Sequence, residues 1–246
     1  MFEISPLSHI FAIAILTWLW IHLRRADNRE RLLDARLLLT GTLFAWFIIT
    51  SAIAFGGTYL QLAKETLLFP LAVFVPFFLV TTLAVIFKQV RQLLVQFVNH
   101  TSLASLTFIN IIRIGAIGTI IHFYQGTLPG HFIIPVAFPD LAIGLSAYFM
   151  SRRAKDGDHN RLLLLWHSSG VLIFFSAVPL MLLSQPGALS VFNSGPNTDQ
   201  VFSFPMVIVP TFIAPLMILF HAAAIIKLLQ RIRSKTDITQ HLGKPS

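Results

Sequence analysis

The sequence predicts an all-α fold: a polytopic transmembrane helix bundle, one domain over residues 1–246, with seven spans, the N-terminus outside and the C-terminus cytoplasmic. Three observations predict it. The chain is 55% hydrophobic and only 11% charged, where a soluble domain carries about 25% charged residues. Apolar runs of ~20 residues, the length a bilayer crossing needs, recur along its whole length. Sixteen of the eighteen Lys and Arg residues fall in loops or at span ends on one side, which is how orientation is encoded.

The spans follow in order. Span 1 covers 7–23. No basic residue precedes it and Arg24-Arg25 follow it, so it reads as a retained span rather than a cleaved signal peptide. Span 2 covers 36–56, after Arg24, Arg25, Arg29, Arg31 and Arg36. Span 3 covers 66–87 and is followed by Lys88 and Arg91. Residues 88–99 put Val90, Leu93, Leu94, Phe97 and Val98 on one helical face and Gln89, Gln92, Gln96 and Asn99 on the other. This amphipathic stretch either lies in the interface or extends span 3; extension is expected, since no breaker separates it from Phe87.

Spans 4, 5, 6 and 7 cover 103–125, 132–151, 162–184 and 205–228. Arg152, Arg153, Lys155 and Arg161 separate spans 5 and 6. Lys227, Arg231, Arg233, Lys235 and Lys244 close the chain, most of them in a basic cytoplasmic tail, 229–246. Lys64 alone sits on the opposite side. The loop 185–204, with Pro186, Gly187, Asn193, Gly195, Pro196 and Asn197, reads either as a cap over an outward cavity or as a plain connector. Asn99-His100-Thr101 matches a glycosylation sequon but falls on the cytoplasmic side.

These features bound the function. The net charge of +8 resides in short loops between spans, so the partner it implies is the lipid bilayer and not nucleic acid. The expected location is a cell membrane, as a multi-pass protein of a bacterial inner membrane. The chain has no cysteine, which excludes disulfides, iron–sulfur clusters, thiolate ligands and c-type haem. A retinal Schiff base needs a lysine in the middle of the last span; Lys227 is at its edge, so retinal is excluded too.

Seven prolines fall within spans: Pro70, Pro76, Pro135, Pro139, Pro179, Pro210 and Pro215. Each interior proline removes a helical hydrogen bond, and neighbours can re-satisfy the freed group. They read as simple kinks or as broken helices lining a site. The pairs Pro135/Pro139 and Pro210/Pro215 are denser than kinking requires.

The candidate site is a polar centre. Arg113 lies ~15 Å into span 4 and Asp140 ~12 Å into span 5 by helical rise, on consecutive antiparallel spans. A charge at that depth is a site hypothesis, and an ion pair is the cheapest way to hold both. Asn110, one turn from Arg113, is placed to satisfy one of its groups. His167 in span 6 and His221 in span 7 lie at similar depth; His122 and His131 flank the loop between spans 4 and 5. A polar cavity between spans 4 to 7, lined by Asn110, Arg113, Asp140, His167 and His221, is expected, as a substrate-binding site or a charge relay running through His122, Asp140 and His167 or His221; the competing reading is an ion pair that only fixes helix register. Arg113 and His122 are nine positions apart and face opposite sides of a regular helix. His122 is therefore expected in a helix interface, near Gly115 and Gly118, unless span 4 is distorted.

Three functions from different classes fit this pattern. One is a small-molecule or ion carrier using the Arg113/Asp140 site. The second is a haem b- or metal-binding membrane oxidoreductase using His167/His221 or His122/His131, with Asp140 as a further metal ligand. The third is a non-catalytic sensor or assembly factor. No HxxxH or HxxH pair occurs in a span, against a metal-dependent hydroxylase.

Pro135, Asp140, Gly144-Leu145 and Ala147 in span 5, Trp166 and Gly170 in span 6, and Pro205, Pro210, Pro215 and His221 in span 7 form a pattern. The pattern resembles a loosely defined group of uncharacterised bacterial multi-span membrane proteins. It covers one third of the chain. In that group glycine precedes the aspartate, where Pro139 stands here. Asparagine follows the tryptophan, where His167 stands. A second acidic residue follows the glycine, in the region of Ile173. The resemblance implies membrane location and no known activity.

Overall fold

The computed structural model describes residues 7–27, 32–65, 68–156, 159–185, 190–192 and 195–242, with side chains as far as residue 234. Arg29, Arg31, Pro186, Gly187, Asn193, Lys244 and the side chain of Lys235 lie outside the described residues. The fold is all-α. Among the described residues, seven helices are long and apolar enough to cross a membrane: Leu7–Ala26, Leu33–Phe55, Phe69–Ile86, Leu103–Tyr124, Gly130–Asp156, Asn160–Leu183 and Val209–Ser234. They are spans 1 to 7. The predicted boundaries shift by a few residues, and the helix of span 7 continues to Leu242. Residues 229–242, expected as a tail, thus prolong that helix.

Polar contacts between connectors show that successive spans alternate in direction. Lys64, between spans 2 and 3, pairs with Asp199, between spans 6 and 7, at 2.7 Å. Ser8, at the start of span 1, donates to the Pro205 carbonyl just before span 7. At the opposite end, Lys227 donates to the carbonyls of Val98, Asn99 and Thr101 at 2.7–2.9 Å. We call this second end the basic end and the first the far end. Span 7 is the central staff: 61% of its apolar window is buried, against 17–39% for the other six. Those six turn Ile10, Phe44, Phe78, Ile117, Phe149 and Leu172 outward, one from each. Apolar surface of that extent is stable only against lipid, so the chain is a multi-pass membrane protein in a bilayer.

The segment 88–99 is not an extension of span 3. Phe87 takes an extended conformation (φ −108°, ψ 108°) and breaks the helix. A separate helix, Lys88–His100, buries Val90, Leu93 and Phe97 against the bundle. The break follows from the amphipathic pattern: a straight continuation past the end of span 3 would carry Val90, Leu93 and Phe97 out into water. Turning at Phe87 packs the apolar face on spans 1, 2, 3 and 7, and the triple Lys227 contact satisfies carbonyls at the C-terminus of this helix.

Three spans leave α winding. Span 4 tightens to a 3-10 helix over Ile109–Gly115. Spans 5 and 7 widen to π turns over Ile133–Ala137 and Val209–Ile213. The two π turns sit on the two proline pairs, whereas Pro76 and Pro179 lie inside regular α-helix. The cause is specific in span 7. Pro215 has no N–H for the Thr211 carbonyl, and Trp46 Nε1 donates to that carbonyl instead, at 3.1 Å. The Thr211 hydroxyl donates to the Val207 carbonyl (2.8 Å) and accepts from Thr50, which also bonds the Tyr59 hydroxyl. Burial raises the Tyr59 phenol above its ordinary range, opposed by the Thr50 hydrogen bond.

Candidate functional site

Arg113 sits in the 3-10 segment and Asp140 one turn after the π turn of span 5. Their atoms Nη1 and Oδ1 are 2.9 Å apart. No aligned hydrogen bond forms at Nη1, so this is a contact ion pair rather than a forked one. The second arm of the guanidinium, Nη2, donates to the Gly170 carbonyl of span 6 at 3.1 Å. The two spans can approach this closely because of Gly144. A Cβ there would lie 2.5 Å from the Ile114 nitrogen and 2.8 Å from the Arg113 carbonyl carbon. Any side chain at this position would push span 5 off the backbone that carries Arg113.

The pair forms the floor of a cavity of about 420 Å³ between spans 1, 4, 5, 6 and 7, within the ~300–1,000 Å³ range of small-molecule sites. The cavity rises to the far end, where exposed Gln125, Gln200 and Phe204 rim it. Ser8, Thr119 and His122 add polar groups; the rest of the wall is apolar. All three irregular turns contribute: Ile112 and Gly115 from the 3-10 segment, Val136 and Ala137 from one π turn, Val209 and Pro210 from the other. Each change of winding opens backbone space that straight helices would fill.

The expected single site divides here. Asn110, His167 and His221 do not line the cavity; all three are fully buried. Asn110 does not serve Arg113. Its Nδ2 donates to the carbonyls of Leu106 and Thr107 in its own span, at 3.0 and 3.3 Å, where the winding changes and local acceptors outcompete a side chain one turn away.

His167 and His221 form a second cluster, on the basic side of the pair. Their Nδ1 atoms are 2.8 Å apart, and His167 Nε2 lies 3.2 Å from the Thr107 hydroxyl. The proton positions follow by elimination. Thr107 spends its one hydrogen on the Leu103 carbonyl at 2.8 Å, so it accepts from His167 Nε2–H. An uncharged His167 then presents a lone pair at Nδ1, and His221 donates Nδ1–H to it. This leaves His221 Nε2 as a buried acceptor without a partner. That nitrogen faces Gly170, where an added Cβ would collide with the His221 ring atoms Cε1 and Nε2. Gly170 thus seats His221 with its missing side chain and Arg113 with its carbonyl. Trp166 closes the cluster edge-on to His167 and bonds Ser146 through Nε1 at 2.9 Å.

The histidine arrangements considered from the sequence separate. His167 and His221 touch directly, with nitrogen aimed at nitrogen. An iron needs both aimed at one point from opposite sides, and these rings leave no gap for a macrocycle. Asp140 engages Arg113, not the histidines, and no group of three or more His, Cys, Asp or Glu converges among the described residues. His122 bonds Thr127 and His131 bonds Ser184, so each has its own partner. His122 lines the cavity with Arg113 rather than a helix interface. The 3-10 segment is the distortion that changes its phase, at about 120° per residue in place of 100°. Thr107 and the approach points Gly144 and Gly170 were not read as site residues. The signal for Thr107 was available: it is a polar position one turn before Asn110 in a mostly apolar span.

No curated protein and no solved structure matches the chain. Residues 66–229 match the profile of a domain of unknown function, DUF8737. The match contains spans 3 to 7, and with them both polar clusters; Phe11 and Ser8 of span 1 complete the cavity wall from outside it. Matched over well over half its length, the chain belongs to the DUF8737 family.

Proposed function

We propose that the protein is a membrane carrier for a small molecule, which it binds above the Arg113–Asp140 pair. The observation that supports this is one cavity with a charged mid-span floor, open toward one end and ringed by three non-α turns. Non-α turns concentrate at functional sites, and broken helices at mid-membrane are a device of transporters. Toward the basic end the path is closed by the packed layer of Thr107, His167, His221 and Trp166. A carrier needs this asymmetry: a site reached from one side while a gate holds the other. The basic residues support a cytoplasmic basic end, so this conformation faces outward.

The chain's lack of cysteine makes the test direct. Ala177 of span 6 lines the cavity. Ala177→Cys, in right-side-out and inverted vesicles, is treated with a membrane-impermeant maleimide. A carrier is expected to react from both sides, faster from the far side. Reaction from the far side alone would overturn the carrier reading in favour of a one-sided sensor. Reporter fusions after residues 128 and 195 should read as external, and those after residues 26 and 100 as cytoplasmic; a cytoplasmic signal at 195 would reverse the orientation.

A further inference from the structure

The ion pair is not presented evenly to the cavity. The Arg113 side chain is 7% accessible and that of Asp140 29%. Arg113 Nη1 is sealed against Asp140, and Nη2 is spent on the Gly170 carbonyl. Asp140 gives Oδ1 to Arg113 and, as the more accessible partner, lines the cavity; among the described residues no hydrogen bond engages its other oxygen. Asp140 is the one carboxylate and Arg113 the one Lys or Arg in the described lining. The floor is therefore a dipole with its negative end up. It offers an acceptor, not a donor, to whatever enters.

The walls agree with that sign. Phe11, Phe132, Phe174 and Phe204 line the cavity with Met206 and Met217. Aromatic faces attract a cation through their quadrupole, and thioethers adapt to irregular apolar bodies. An anion would meet the more accessible carboxylate while the guanidinium stays out of reach. An uncharged apolar molecule would leave the free Asp140 oxygen desolvated, which is costly.

We propose that the ligand is a hydrophobic amine, bound as its ammonium cation with an N–H donated to the other oxygen of Asp140 and its apolar body among the phenylalanines and methionines. This rests on the cavity being a ligand site, and assigns its chemistry. Charge-assisted hydrogen bonds are roughly twice as strong as neutral ones, so Asp140 selects the amine over an alcohol of the same shape.

Three probes share one body: adamantylamine, adamantanol and adamantane carboxylate. The full chain in neutral-lipid nanodiscs is titrated with each, with protein-free discs as the partition control. Binding is read as a rise in the thermal unfolding midpoint and as protection of Ala177→Cys from maleimide. The amine is expected to bind at least about tenfold more tightly than the alcohol, and the carboxylate more weakly than either. Asp140→Asn strands Arg113 and endangers the fold, so the preference is tested in the double variant Arg113→Gln/Asp140→Asn, where amine and alcohol should bind alike. Ala177→Trp fills the cavity without touching the charges and should abolish amine binding. Equal binding of amine and alcohol by the unaltered chain overturns the role of Asp140, and preference for the carboxylate overturns the sign; the cavity survives both results. If no probe binds while Ala177→Cys reacts from the far side, the amine assignment fails alone. If Ala177→Cys also stays unreactive, the cavity reading fails with it.

Discussion

The Arg113–Asp140 pair on spans 4 and 5 and the His167–His221 pair on spans 6 and 7 meet at Gly170, yet one borders a cavity and the other is sealed. The difference lies in what each group can do with its charge. A guanidinium cannot shed its proton in a protein, so Arg113 at mid-span needs a counter-charge, and the counter-charge stays partly accessible. Two imidazoles can be buried uncharged if their tautomers interlock. Thr107, His167 and His221 interlock in one order, and only His221 Nε2 is left over. An obligate ion keeps its site near water, while a neutral hydrogen-bonded chain can be packed dry. Under the proposed carrier function, the first pair contacts the ligand and the second closes the path.

The strongest way to break this contrast is to separate spans 4 and 5. Gly144→Leu must displace the backbone of Arg113 and Ile114, so it should leave no monodisperse protein on size-exclusion chromatography. Gly41→Leu is the control, because nothing lies within 4 Å of a Cβ there; equal recovery of both would show that the close approach is dispensable. Next comes the charge balance. Asp140→Asn should cost about 3–5 kcal/mol of unfolding free energy in detergent, because it leaves Arg113 buried without its counter-charge. The double variant with Arg113→Gln should cost less than the single. Additive losses would show that the two do not act as partners.

The histidine pair should behave differently. His221→Leu leaves His167 Nδ1 without a donor and should cost about 1–3 kcal/mol. His167→Leu/His221→Leu removes both partners and should recover most of that loss. Ligand affinity should be retained in the double variant while the vesicle labelling of Ala177→Cys shifts toward equal rates from both sides. Loss of affinity with unchanged labelling would move the histidines into the binding site and erase the comparison. The smallest effect is at the far-end connector. Lys64 and Asp199 are 40% and 34% accessible, so Lys64→Ala should cost no more than ~1 kcal/mol and less in high salt. A larger loss would mark the Lys64–Asp199 contact as a latch on the short helix that carries Gln200.

Much of this was readable from local pattern. Hydropathy and the sorting of basic residues determined seven spans, because a bilayer requires each crossing to satisfy its own backbone and to be apolar over a set length. Arg113 and Asp140 could be paired from sequence because consecutive antiparallel spans put residues at equal depth side by side, and no other counter-charge lies near. The equal depth of His167 and His221 was visible in the same way. What they do was not, because a histidine's role depends on which neighbour holds a proton, and Thr107 decides that. Tertiary structure alone decided the break at Phe87, the 3-10 and π turns, and the split of one polar centre into a cavity floor and a buried histidine pair. A change of winding depends on which distant group, such as Trp46 for the Thr211 carbonyl, takes up the hydrogen bond that proline removes. A cavity is the space left when such turns meet. Neither is a property of any one segment, so neither can be read from one.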